Sequence, residues 1–453
     1  MRAAGDGTAV GALAFLALVG LAVALCASAA SADPESSDQV QSTPTPASRE
    51  DKLIGLQERI EEWLAAGGDP NAVLPLGQKL DELFDQGTPA EIDAQIDRIR
   101  AVVATPPSPA RRPTAPADTA PVPINVRPIP AGAAIVFFSA RSGLGSEIYT
   151  MNTDGGEVTQ ITFISPRPFD QPYEHVAVSP DHRMIAADRY LKSGSGPTGL
   201  WVIDLERKTE RHLVPDFFSA GNGGVDWSAD GSIYFAGQRA VRQKAGVFRI
   251  RPDGSQLTPV VALDPLDAGF VGDVSVSEDG SLLAYVRAVA ARSATRMVLK
   301  TQIWVAQING GEQRMVDDGG PELGSQGGFP IGDFDPEISP DNAFVVFSRT
   351  NTEHVSFKTT FNNGQDLWVA PVDRSAPARR LTQPGPISIV PDWHDRKIVY
   401  TEYSEVDGYA GLVLIEPDGS GRRRLETTTG TLRDGGRHGK WIASARVAPT
   451  PSP

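Results

Sequence analysis

A chain of 453 residues is too long for one ordinary domain, so a repeat array or two to three domains is expected. The 45 glycines and 37 prolines point to many turns, Pro-rich spacers, or both. A net charge of -14 argues against a nucleic-acid surface, since phosphate binding needs clustered Lys and Arg.

Residues 1–32 read as a signal peptide: Arg2 precedes an apolar run from Thr8 to Leu25, and Ala30-Ser31-Ala32 offers the small residues a signal peptidase accepts, with cleavage before Asp33. The apolar run also approaches the roughly 20 residues of a bilayer span, so an uncleaved anchor is the alternative. Cys26 after the run leaves a lipoprotein as a third option. It is the only cysteine, so a cleaved product has no disulfide and no thiolate metal site. The localisation expected is periplasmic, cell-surface or extracellular.

Residues 33–48 are rich in Ser, Pro, Thr and Asp and are expected to be a flexible tether. Residues 49–104 carry helical periodicity. Leu53, Leu56, Ile60, Trp63 and Leu64 form one stripe, ending at Gly67-Gly68. Val73, Leu76, Leu80, Leu83 and Phe84 form a second after Asp69-Pro70. Ile92, Ile96, Ile99 and Val103 form a third after Thr88-Pro89 and Glu91. The three form a small bundle of their own or a hairpin packed on the next domain. Residues 105–130 are a Pro-rich linker.

From residue 131 to 446 one unit recurs. Its anchors are Ile148-Tyr149, Leu200-Trp201, Val247-Phe248, Ile303-Trp304, Leu367-Trp368 and Leu412-Val413. A tight turn follows most of them, as in Asp154-Gly155-Gly156, Asp253-Gly254 and Asp418-Gly419, whose glycines supply positive φ. Before the anchors stand acidic turns such as Ser179-Pro180-Asp181, Ser228-Ala229-Asp230, Ser277-Glu278-Asp279 and Ser339-Pro340-Asp341, each followed by an apolar strand. Four strands per unit at this spacing define a propeller blade. The fold class expected is therefore all-β, a six-bladed β-propeller of four-stranded blades preceded by a small helical segment. Residues 447–453 are expected to be a disordered tail.

The first unit, Ala133 to Phe138, lacks its innermost strand, and the stretch Thr431 to Ile442 is expected to supply it. Trp441 to Ser444 competes with Ile135 to Ser139 for one position, which leaves a partial seventh blade open.

The pattern aromatic-Ser-Pro-Asp-Gly, apolar strand, Ile-Tyr, Asp-Gly-Gly, Leu-Thr resembles the TolB-type, WD40-like (PD40) propeller repeat over residues 132 to about 446. TolB itself carries an α/β domain before its propeller. Here helices and a proline spacer stand in that place, so the chain resembles the repeat family and not TolB as a whole.

Aligning the inner strands on the turn serine groups two sets of side chains near the central channel. Asp226, Glu337, Asp392 and Asp434 stand two residues before it, and His175, Asp273 and Asp335 stand four before it, with Asp333 extending the cluster. Such a ring of carboxylates suits Lys or Arg of a partner peptide, or Ca²⁺, or merely caps backbone donors. The acids Asp181, Asp230, Asp279 and Asp341 are read as turn formers. No Gly-x-Ser-x-Gly elbow and no paired His motif occurs, and His394 stands beside Asp392 and Asp395. The function expected is an exported, non-enzymatic, monomeric scaffold binding a protein, peptide or polysaccharide of the cell envelope, with no required cofactor and no nucleic acid. Membrane contact is expected only through an uncleaved signal. The alternative is a secreted lyase or glycosidase using channel carboxylates and His.

Overall fold

The computed structural model describes residues 88–106, helical positions scattered between 56 and 83, and residues 120–442 apart from 142–146, 164–172, 190–198, 216, 218, 239–244, 264–270, 293–296, 321–330, 352–363, 405–407 and 426–436. The expected signal peptide, the tether, the tail and Asp434 lie outside the described residues.

Short strands joined by tight turns give antiparallel four-stranded blades, and the blades form a β-propeller. Three of the sheets stand alone with four strands. They begin with the inner strands Ser219–Trp227, Ile387–His394 and Arg437–Trp441. The sheet begun by Tyr173–Val178 gains a fifth strand, and the strands from Val271–Val276 to Arg379–Arg380 form one eight-stranded sheet. This corrects the expectation of six separate sheets. The parallel pairs Lys300↔Ile331 and Thr301↔Gly332 weld two four-stranded units into one hydrogen-bonded sheet. Gly332, at φ 124°, allows the weld, because a Cβ there would sit 2.3 Å from the Thr301 carbonyl oxygen.

The inner strands touch in the order Tyr173–Val178, Ser219–Trp227, Val271–Val276, Ile331–Ile338, Ile387–His394, Arg437–Trp441, and back to the first. Closure comes from the C-terminal strand, which pairs with Ile135–Ser139 through Ile135↔Trp441 and Val136↔Lys440. Trp441 therefore lies beside Ile135 and does not compete with it. Among the described residues no further sheet follows.

Apolar cores fill the spaces between consecutive sheets. Val225, Trp227 and Phe235 meet Ala177, Ala186 and Leu200 in one, and Ile135, Phe137 and Met151 meet Val399, Leu412 and Leu414 in the one that spans the closure. A blade is thus covered on both faces, which is why strands such as Ile135–Ser139 are buried at every position.

The turns are built as their residues require. The Ser339 hydroxyl donates to Asp341 and accepts from the Phe344 N–H, while Asp341 accepts from the Ala343 N–H; Ser179 with Asp181 and Ser277 with Asp279 repeat the arrangement. These bonds hold the Asp341 carboxyl below its ordinary range, and that of Asp279 at about 2, with burial acting in the opposite direction.

The helix Pro89–Ala104 starts at a capping box between Thr88 and Glu91 and buries Ile92, Ile96, Ile99 and Val103 against Leu56, Ile60, Trp63, Val73 and Leu80. The Trp63 indole donates to the Thr105 carbonyl at 2.8 Å. No propeller residue belongs to this cluster among the described residues.

The end of the Pro-rich stretch is part of the propeller. Val122–Pro123 adds to the outer edge of the Thr209–His212 strand, and Val126 bridges to Thr162 on the neighbouring sheet. One segment therefore straps two outer edges together.

Candidate channel site

The pairing of each inner strand slips near its middle, as between Gly272 and Ser275, Phe334 and Glu337, and Ile389 and Asp392. These bulges put Asp273 (φ 45°), Asp335 (φ 51°), Val390 (φ 50°) and His438 (φ 47°) in the left-handed region. A bulge re-aims side chains and leaves backbone donors without ladder partners. Carboxylates from the preceding blade accept from N–H groups of the inner strands, those of Asp335 and Val390 at bulges and those of Val276 and Trp441 beside them. Asp226 accepts from the Val276 N–H at 2.8 Å, Asp273 from the Asp335 N–H at 3.0 Å, and Asp335 from the Val390 N–H at 3.2 Å. Asp392 accepts from the Trp441 N–H in the same way.

Three of the predicted acids converge, and on a lysine. The Lys440 ammonium lies 3.8 Å from Asp226, 3.7 Å from Glu337 and 3.8 Å from Asp392. Burial opposes the charge on Lys440, but the three carboxylates outweigh it and raise its pKa. Burial, reinforced by the nearby Asp392, raises the Glu337 carboxyl well above its ordinary range, and burial raises that of Asp392, with Lys440 opposing. Ser275 donates to Glu337 at 2.9 Å.

A second layer lies four residues before the turn. His175 holds Asp188 at 2.9 Å through Nδ1, and its ring sits 4.7 Å from that of His438. Burial, then the nearby Asp335, raises the Asp273 carboxyl; burial likewise raises that of Asp335, with His175 opposing.

Asp333 belongs to neither layer. It is fully buried and grips Arg349 at 2.6 and 3.0 Å within its own sheet, and Arg349 also meets Asp317 and lies over Trp368. Lys440 occupies the inner-strand position expected for Asp434. The usable signal was the tryptophan: Lys440-Trp441 aligns with Asp226-Trp227 and Asp392-Trp393. Among the described residues, no group of three or more His, Cys, Asp or Glu side chains is arranged to hold a metal ion.

At the turn end of the channel, His394 takes the place of the turn serine. Its Nδ1 lies 2.5 Å from Glu278, two inner strands away, and its ring is 5.8 Å from that of Trp441. On the same face a cleft of about 420 Å³ opens between neighbouring blades, with Phe344, Trp393, Pro340 and Pro417 as its apolar surface and Arg379 and Asp395 on its rim.

No protein-family model matches the chain, and no curated protein sequence does. Solved structures similar to it include TolB and other propeller domains. A TolB protein of Agrobacterium tumefaciens is 15% identical, with 67% of this chain and 89% of that chain covered and a TM-score of 0.42. The β-propeller domain of the trilobed protease from Pyrococcus furiosus is 10% identical, covering 68% and 99%, with a TM-score of 0.38. A chain of the nidogen/laminin complex is 10% identical, covering 69% and 99%, with a TM-score of 0.46.

Proposed function

We propose that this chain is an exported, non-enzymatic scaffold, a propeller of six blades that binds a peptide or protein segment of the cell envelope in the cleft beside Phe344. The count of six takes the eight-stranded sheet as two blades joined by a two-residue bridge. The observation that carries the binding reading is the contrast between channel and cleft. The channel acids are engaged with Lys440 and with backbone donors, whereas Phe344 is a large apolar side chain left 40% exposed in a concave site. A lyase or glycosidase needs a carboxylate and a proton donor that face substrate, and the channel groups face one another.

The test is a peptide-library and glycan-array screen with the full-length protein, Phe344→Ser and Arg379→Glu as cleft variants, and Glu337→Gln as the channel control. Binding lost in the cleft variants and kept in E337Q supports the reading. Binding that depends on Glu337 and ignores Phe344 refutes it. Cell fractionation checks export.

A further inference from the structure

We infer that the His394–Glu278 pair is a proton-operated bar across the channel mouth, engaged in mildly acidic medium and released as the pH rises above neutral. The inference stands on placement. In other blades the corresponding residue is Ser179, Ser228, Ser277 or Ser339. The Ser179, Ser277 and Ser339 hydroxyls close their own turns. The imidazole of His394 instead leaves its turn and reaches a carboxylate on another blade, with the inner strand Ile331–Ile338 between the two. The contact therefore crosses part of the ring. Beneath it lies the layer of Lys440, Asp226, Glu337 and Asp392, and beside it stands Trp441.

The charges around His394 all act in one direction. Glu278 faces it from the opposite turn, while Asp392 and Asp395 stand on its own strand and turn. The hydrogen bond to Glu278 is the largest influence and raises the imidazole pKa above its ordinary value of 6.5, against the half-burial that would lower it. Lys440, in the layer below, is already balanced by three carboxylates. An ion-paired hydrogen bond thus holds the bar while His394 is protonated, and only a weaker bond from the neutral imidazole to the Glu278 carboxylate remains once it is not. Both side chains are about one-third exposed, at 32% and 31%, so the bar is a light one that opens within the folded ring. This inference does not depend on the cleft beside Phe344.

A reporter thiol beneath the bar tests it. In a Cys26→Ser background, Ser275→Cys places the only thiol in the Lys440 layer, and iodoacetamide alkylation is followed with and without Glu278→Gln. Comparing the two at each pH cancels the thiol's own ionisation. At about pH 6 the Glu278→Gln protein should label about threefold faster, the scale of a partly exposed ion pair, and the two rates should converge by about pH 8.5. His394→Lys, which keeps a cation at both pH values, should label slowly throughout. Equal rates at about pH 6, or a ratio that does not change with pH, overturn the proposal. Should Ser275→Cys disturb the layer, the His394 ring-proton titration in the otherwise unaltered chain decides the matter: its midpoint falls in E278Q if the bar exists and stays put if it does not.

Discussion

The ammonium of Lys440 lies 3.8 Å from the carboxylate of Asp226, although the inner strand Tyr173–Val178 stands between their own strands in the ring. With Glu337 and Asp392 completing the cage, the closing strand is held by three other blades besides its ladder with Ile135–Ser139. Replacing Lys440 by Met leaves buried carboxylates without their cation and should cost about 3 kcal/mol in urea unfolding. Lys440→Arg should retain most of the stability. Adding Asp392→Asn to K440M should recover part of the loss, because the two changes act on one network. A K440M protein as stable as the parent would mean that the cage contributes nothing to closure.

The cage and the second layer together set a pH dependence. Glu337, Asp273, Asp335 and Asp392 all have carboxyls raised by burial. A group whose folded pKa is raised contributes stability that is full below its unfolded value and is lost as pH rises through the folded value. The turn acids Asp279 and Asp341 are lowered, so their contribution is present above the unfolded value and lost as pH falls, for Asp279 toward about 2. Thermal stability should therefore peak near the unfolded carboxyl values, at about pH 4, and decline on both sides. Glu337→Gln should flatten the alkaline limb and leave the acid limb unchanged. A melting temperature that rises steadily from about pH 5 to 8 would contradict this assignment.

Two glycines with the same backbone separate conformational cost from steric cost. Gly155 and Gly254 both have φ of +84°, in equivalent turns. A Cβ on Gly155 would fall 2.0 Å from the Leu425 carbonyl oxygen of the neighbouring blade, whereas one on Gly254 would meet nothing within 4 Å. Gly254→Ala should cost only the left-handed penalty of about 1 kcal/mol. Gly155→Ala adds a backbone collision across the seam and should cost roughly 3 kcal/mol or more. Equal losses in chemical denaturation would show that the seam yields.

Much of this was legible in the residues because each blade repeats the same local chemistry. Ser-x-Asp turns, Asp-Gly turns and apolar second strands report themselves by composition, and so does the need for a C-terminal strand. The closing strand lacks the turn serine that registers the others, Ile442 standing in its place, so its register is carried by Trp441 alone. Bulges were hidden for a different reason. At Asp335 and Val390, both at positive φ, a carboxylate of the neighbouring blade accepts from the displaced N–H, and that is a tertiary arrangement with no local pattern. The partnership of Asp333 with Arg349 was hidden likewise, because alternation places Asp333 on the face of its neighbours until the bulge turns it into its own sheet.

The strap offers the last test, and it joins the linker to the ring. The Ile124 N–H donates to the Lys208 carbonyl at 2.9 Å, the Arg127 N–H to that of Ile161 at 2.8 Å, and the Phe163 N–H to that of Asn125 at 3.0 Å. Val126 is only 3% exposed and enters the core between the two sheets it crosses, whereas Val122, on the same strap, is 44% exposed. Val126→Asp puts an unpaired carboxylate in that core and should cost about 3 kcal/mol. Val122→Asp should change stability by less than about 0.5 kcal/mol. Limited proteolysis then distinguishes a strap from a tether: in the parent protein cleavage should fall before Ala120, and in V126D it should extend into residues 120–130 while the ring persists. Cleavage within 120–130 in the parent would show that the segment only rests on the edges it crosses.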